Sequence, residues 1–233
     1  MEAIILAGGL GTRLKGVVND LPKSMASVNG HPFLEYLLNY LLGQGIRRII
    51  LSVGYKRDMI QSYFKDRYKG MTISYAIEEE PLGTGGGIKN ALTQVESDKA
   101  FTLNGDSLFR IDFQAMLRTH TSSNADLTIA LRYLDDTARY GTVRVNNERQ
   151  ITGFSEKDPD SGSGYINGGV YLINKEFISQ ETFPSKFSME KDCFEQYYSK
   201  AKIFSYISRG YFLDIGIPED YQKAQDDFKE FED

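Results

Sequence analysis

The chain has 233 residues, 41% hydrophobic and 25% charged, with a formal net charge of −5. The length suits one large α/β domain, and an acidic balance without a basic cluster argues against nucleic acid as a partner. The single cysteine, Cys193, excludes an intrachain disulfide and fits a reducing compartment, while no run approaches the roughly 20 apolar residues of a membrane span. The N-terminal apolar run is too short for a signal peptide and lacks a basic flank, so the expectation is a cytoplasmic protein.

In chain order, EAIILA (2–7) reads as a buried strand that runs into the glycine-rich stretch LAGGLGTRLKG (6–16). His31, Pro32, Phe33 and Leu34 open a helix, with Pro32 in its first turn, where the missing N–H costs nothing. Leu37, Leu38 and Leu41 continue its apolar face, and Gly43 and Gly45 end it. A second strand is predicted over 47–54, and the spacing of Met59, Ile60, Tyr63 and Phe64 predicts a helix within 56–68. Alternation predicts a third strand over 71–79, followed by a helix from about Gly85 to Val95. A fourth strand over 99–106 ends in Asp106; a helix over 112–121 and a strand over 126–134 complete the repeat. This β-α-β-α order implies a mostly parallel sheet with helices on both faces. After Tyr140 the texture changes: YGTVRV, ITGFSEK and YINGGVYLI read as antiparallel strands grafted onto the parallel sheet. A helix near 188–200, a strand over 203–207 and a helix over 218–231 finish the chain. No repeat or linker divides it, so 1–233 reads as one domain.

Open α/β sheets bind ligands where strands end at their carboxyl edge. In the opening loop, glycines let backbone N–H groups approach an anion. Thr12 adds a hydroxyl there, and Arg13 a planar charge suited to phosphate oxygens. The competing reading is a tight turn with no ligand. The loop matches neither GxGxxG nor GxxxxGK[ST], so a dinucleotide site and a Walker loop lose support. Lys23 reads either as a surface charge or as a second phosphate clamp. Gly83, Gly85, Gly86 and Gly87 stand at a helix start, where amides attract anions and a flat ring can lie close; a flexible turn is the alternative. Asp106 either holds Mg²⁺ beside substrate phosphates or caps the next helix, and Asp214 offers a second carboxylate. Glu156 and Lys157 pair at a strand end, the acid suited to sugar hydroxyls and the lysine to a phosphate. The glycines of YGTV and INGGVY mark close backbone approach. His31 and His120 are expected to cap helices or face solvent, and Cys193 to pack beside Phe194 and Tyr197. No Ser-His-Asp or Cys-His arrangement stands out.

Taken in order, LAGGLGTRL, LPKSM, GHPFLEYLL, EPLGTGGGIKNA, NGDSLF, the Glu156–Lys157 pair, INGGVY and LDIGIPEDY resemble the motif set of the sugar-1-phosphate nucleotidyltransferases. The resemblance spans nearly the whole chain. EPLGT before a glycine-rich helix start is similar to the guanylyl branch, and the length to short members acting on a heptose 1-phosphate. The resemblance implies a Rossmann-like, GT-A-like mixed sheet, with a nucleotide part over about 1–134 and a sugar part over about 135–233. It implies GTP and a sugar 1-phosphate as substrates, and leaves a homodimer open. It implies that Leu6, Ala7, Gly8, Gly9, Gly11, Thr12 and Arg13 cradle the triphosphate, and that Glu80, Pro81, Gly83, Thr84 and Gly85 meet the base. Arg13, Lys23 and Lys157 would neutralise, in turn, the leaving pyrophosphate, the reacting phosphate and the sugar phosphate. Asn104, Gly141, Glu156 and Asn167 would contact the sugar, and Asp106 and Asp214 would hold Mg²⁺. Glu80 is an acceptor-only carboxylate that can pair with the two adjacent donors of guanine; reading of the base by backbone groups alone is the alternative. The sequence departs from the family's pattern at LKGVVND, where a PLT step is usual, and at Ser27, where proline is usual. Three other readings stay open: a mannose 1-phosphate enzyme, a uridylyl- or thymidylyltransferase, and a non-catalytic nucleotide-sugar-binding subunit. The last would be expected to lack Arg13, Lys23 or one of the aspartates, and all four are present.

Overall fold

The computed structural model describes residues 1–9, 21–155, 157–158, 160, 162–180 and 183–231. The elements run β1 (Glu2–Leu6), the short strands β2 (Ser27–Val28) and β3 (His31–Pro32), α1 (Phe33–Gly43), β4 (Arg48–Val53), α2 (Arg57–Phe64), β5 (Arg67–Tyr68), β6 (Met71–Ile77), α3 (Gly83–Leu92), β7 (Lys99–Asn104) and β8 (Ser107–Phe109). They continue through α4 (Phe113–Ser122), β9 (Leu127–Leu134), β10 (Thr142–Val145), β11 (Ile151–Ser155), β12 (Gly164–Asn174) and α5 (Lys175–Gln180). A π-helical segment (Met189–Phe194) leads into α6 (Glu195–Tyr197), then β13 (Ile203–Ser208), β14 (Phe212–Asp214) and α7 (Pro218–Asp227).

Four parallel strands, in the order β6-β4-β1-β7, form the centre of a ten-stranded sheet. β12 joins β7 antiparallel, then carries β9 along its length and β10 at Ile166; β11 pairs with β10, and β13 runs parallel to β9. The sheet separates two apolar cores. Successive side chains of a strand point to opposite faces, so Ala3 and Ile5 of β1 join one core while Ile4 joins the other. α1, α2, α4 and α7 cover the first face; α3, α5 and the π-helical segment cover the second. Burial on both faces is why β1 and β4 read as continuous apolar runs rather than alternating ones. Among the described residues, no helix is long and apolar enough to cross a membrane.

Four details differ from the sequence reading. β9 does not continue the parallel repeat: β12 lies between it and β7, antiparallel to both. Pro32 belongs to β3 and precedes α1, while the amide of Phe33 donates to the carbonyl of Ala26 at 2.9 Å. α3 begins at Gly83, two residues before the expected start. His120 neither caps α4 nor faces solvent: it is 1% exposed, with Nδ1 2.9 Å from Thr128 Oγ1 and Nε2 3.0 Å from Asn174 Oδ1. The amide of Asn174 donates to the carbonyl of Ala125, which turns its oxygen toward the ring. Burial, with Lys99 in support, depresses the imidazole's affinity for a proton against the opposing pull of Asn174, Asp126 and Asp98.

Candidate active site

A cleft of about 760 Å³ opens at the carboxyl edge of β1, β4, β6 and β7. Leu6, Ala7, Gly8 and Gly9 line it where β1 ends, Gly54, Tyr55 and Arg57 after β4, Glu78, Glu79, Glu80 and Pro81 after β6, and Asn104, Gly105 and Asp106 after β7. Lys23, Ser24, Gly83, Thr84, Glu190 and Asp214 complete the lining. Gly105 is needed for close approach. Its amide donates to the carbonyl of Leu6 at 2.9 Å, and a Cβ there would lie 2.6 Å from that oxygen. The ends of β1 and β7 are thereby held together, with Asp106 at the rim.

Charge concentrates at one end. The ammonium of Lys23 pairs with the carboxylate of Asp106 and lies 3.8 Å from Asp214 Oδ1. The lysine side chain is 10% exposed and the two acids are 31% and 32% exposed, so a ligand can still reach the carboxylates. Local folding accounts for the meeting. Lys23 opens a 3₁₀ turn anchored by buried Ser24 and Met25. β8 and β14 pair antiparallel with Asp214 opposite Ser107, and the amide of Ile215 donates to the carbonyl of Asp106 at 3.0 Å.

The other end is built on Glu78, which the sequence reading passed over. Its Oε1 accepts from the Ser52 hydroxyl at 2.7 Å and its Oε2 from the Leu82 amide at 3.1 Å. One carboxylate thus ties the end of β4 to the loop that carries Glu79, Glu80 and Pro81. Glu79 pairs with Arg57 at 3.0 Å, and Glu80 is exposed on the cleft wall. The run of three glutamates gave no hint which one turns inward; that depends on Ser52, on a neighbouring strand.

Several expected residues lie elsewhere. Gly85 is buried beneath the ring of Phe187, and its amide donates to the Phe187 carbonyl at 3.0 Å. The amide of Gly86 shares that acceptor at 3.3 Å, so these first-turn amides of α3 already have a partner and do not present an anion site. Gly141 packs against the carbonyl of Ser155, outside the cleft. Asn167 is committed within β12: its amide donates to the Tyr171 hydroxyl at 2.9 Å, and its oxygen accepts from the Gly169 amide at 2.9 Å. These bonds hold an irregularity in the strand, where Gly169 has φ +71° and backs onto the side chain of Asn104. Asn167 is not among the described residues that line the cleft, whereas Asn104, against which Gly169 packs, is. Lys157 is exposed beyond the end of β11 and does not line the cleft. Gly11, Thr12, Arg13 and Glu156 lie outside the described residues. Glu190, which no motif announced, comes from the π-helical segment.

A glycine-rich cleft at the carboxyl edge of a parallel sheet, with a lysine between two aspartates, suits phosphate chemistry. The family model for nucleotidyl transferases matches residues 2–230. The chain belongs to the nucleotidyl transferase family. This nucleotidyl transferase is 48% identical over 231 residues to the D-glycero-alpha-D-manno-heptose 1-phosphate guanylyltransferase of Aneurinibacillus thermoaerophilus, covering 99% of this chain and all of that one. It is 45% identical over 221 residues to the enzyme of the same name from Campylobacter jejuni, covering 95% and 97% of the two chains. Among solved structures it is similar to HddC from Yersinia pseudotuberculosis complexed with GMP-PN. The TM-score is 0.87 at 40% identity, over 97% of this chain and 99% of that one. Nucleotidyl transferases of this family in general use a divalent metal. The donor set here fits one: two partly exposed carboxylates already converge on a single cationic atom, and hard cations take such oxygens.

Proposed function

We propose that the protein transfers the guanylyl group of GTP to D-glycero-α-D-manno-heptose 1-phosphate, forming GDP-heptose and releasing pyrophosphate. The end-to-end similarity to the two heptose 1-phosphate guanylyltransferases carries this reading. It favours heptose over mannose, guanine over uracil or thymine, and an enzyme over a non-catalytic subunit.

In this reaction an oxygen of the sugar phosphate attacks the α-phosphorus of GTP, and the bond to the β-phosphate oxygen breaks. Positioning and charge neutralisation carry such a transfer. Ala7, Gly8 and Gly9 bring backbone groups to the triphosphate. Glu80 accepts from the ring N1–H and exocyclic amine of guanine, while Glu78 holds its loop in place. Lys23 offsets charge at the reacting phosphate. Asp106 and Asp214 would hold Mg²⁺, which when bound neutralises phosphate charge and polarises phosphoryl oxygens. From the family resemblance we assign Gly11 and Thr12 to the triphosphate, Arg13 to the leaving pyrophosphate, and Glu156 and Lys157 to the sugar and its phosphate; Lys157, exposed beyond β11, has to turn into the cleft to meet that phosphate. The single cysteine, which can form no intrachain disulfide, is in keeping with a cytoplasmic setting.

The test incubates purified protein and Mg²⁺ with each of GTP, ATP, CTP, UTP and dTTP against heptose 1-phosphate and mannose 1-phosphate. The nucleotide sugars are identified by mass. GDP-heptose should dominate. Preference for mannose 1-phosphate or a pyrimidine nucleotide would overturn the substrate assignment, and absence of any product would favour a binding subunit.

A further inference from the structure

Of the described residues lining the cleft, only Glu190 and Asp214 come from the second half of the chain. Asp214 faces Lys23. Glu190 sits at the opposite kind of neighbourhood, beside Thr84 at the start of α3, 106 residues away in sequence. The Thr84 hydroxyl donates to Glu190 Oε2 at 2.8 Å, and the Ser188 hydroxyl donates to the same oxygen at 2.9 Å. Thr84 Oγ1 in turn accepts from the amide of Met189 at 2.9 Å. This closed set of bonds fixes the carboxylate's orientation before any ligand arrives, as a recognition group requires. The segment that carries it is anchored to the second half: the ring of Phe194 stacks on Phe154 of β11 and tilts against Tyr171 of β12.

A carboxylate only accepts hydrogen bonds, and it repels phosphate. In a cleft that takes a triphosphate and a sugar phosphate, its partners are neutral donors, and with the base assigned to Glu80 these are hydroxyl groups. The nucleotide contacts proposed above all come from the first half of the chain, whereas Glu190 is built on the strands of the second. We infer that Glu190 accepts hydrogen bonds from hydroxyls of the sugar 1-phosphate and helps set which sugar is taken. This inference rests on the transfer reaction proposed above. A merely structural Glu190 would brace the start of α3, where its negative charge also suits the helix dipole.

Steady-state kinetics with each substrate varied in turn, together with melting temperatures, separate the two roles. Glu190→Gln should raise the KM for heptose 1-phosphate about tenfold, the scale of a lost charge-assisted hydrogen bond. The KM for GTP should stay within about twofold. Glu190→Asp, which keeps the charge but withdraws it by one methylene, should show the same selective rise. It serves as the second variant if the amide folds poorly. A lowered melting temperature with both KM values unchanged would make Glu190 structural and overturn the inference. A rise in the KM for GTP alone would overturn it in favour of a nucleotide contact. If the unaltered protein does not turn over this substrate pair, the proposed reaction falls and takes the inference with it. If it does, and the variants keep their KM for the sugar, the inference falls alone.

Discussion

Lys23 donates to the carboxylate of Asp106, 83 residues further along the chain, and the pair sits at the rim of the cleft with Asp214 alongside. From this arrangement we expect Asp106 to be dispensable for folding and indispensable for chemistry. In Asp106→Asn the lysine keeps Asp214 as a neighbour, so the melting temperature should change little. Turnover should fall about 10²-fold or more, the scale seen when a group that stabilises transition-state charge is removed. Near-normal turnover at saturating Mg²⁺ would remove Asp106 from the reaction.

Glu78 should act on the nucleotide without touching the transfer. Its two oxygens accept from different donors, Ser52 and the Leu82 amide. Glutamine has one acceptor oxygen, so it must reverse the bond to Ser52 and forfeit the charge that strengthens both. We expect Glu78→Gln to cost about 1–2 kcal/mol of stability and to raise the KM for GTP several-fold, with kcat nearly unchanged. A fall in kcat alone, with KM intact, would contradict this role.

The proposed reading of the base by Glu80 is tested with ITP. ITP lacks the exocyclic amine of GTP, so it offers the carboxylate one donor instead of two. Wild-type protein should prefer GTP to ITP by about tenfold, and Glu80→Gln should largely erase that preference. If the preference survives the substitution, backbone groups read the base.

His120 should make stability depend on pH. Burial, first, and Lys99 lower its folded-state pKa below the ordinary 6.5, so the folded protein favours the neutral ring while the unfolded chain protonates near 6.5. The unfolded state then binds more protons below that value. The ring's contribution is therefore complete above pH 6.5 and diminishes as the pH falls toward the folded-state pKa. Melting temperatures at pH 7.5 and pH 5 should drop more for the wild type than for His120→Gln, which has nothing to titrate there. Equal drops would show that the imidazole is not the sensor.

The nucleotide end of the cleft was legible because local rules govern it. β1, β4 and β7 are each a short run of mostly buried residues and β6 an alternating one, and each breaks at a glycine or an acid, so strands and loops announce themselves together. The other half depends on pairings with no local signature. β8 and β14 have three residues each, too few to show a period, yet they bring Asp214 beside Asp106. The place of β9 beyond β12 depends on which edge β7 offers, which strand composition does not encode. His120 stands in a polar stretch, RTHTSS, and is buried only because Thr128 and Asn174 supply partners from other strands. Gly85 reads as an open helix start until the backbone of Phe187 arrives from a hundred residues away to occupy its amide.

That last bond also governs how fast two protons are lost to water. Amides in the first turn of a helix ordinarily lack an internal acceptor, and exchange their hydrogens for deuterium readily. Those of Gly85 and Gly86 donate to Phe187, whose own amide donates to the carbonyl of Leu82 at 3.0 Å. Their exchange is therefore tied to detachment of the strip around Phe187, the same strip that delivers Glu190 to the cleft. A deuterium-labelling measurement on these two glycines reports, from outside the ligand's footprint, whether that wall of the cleft is seated.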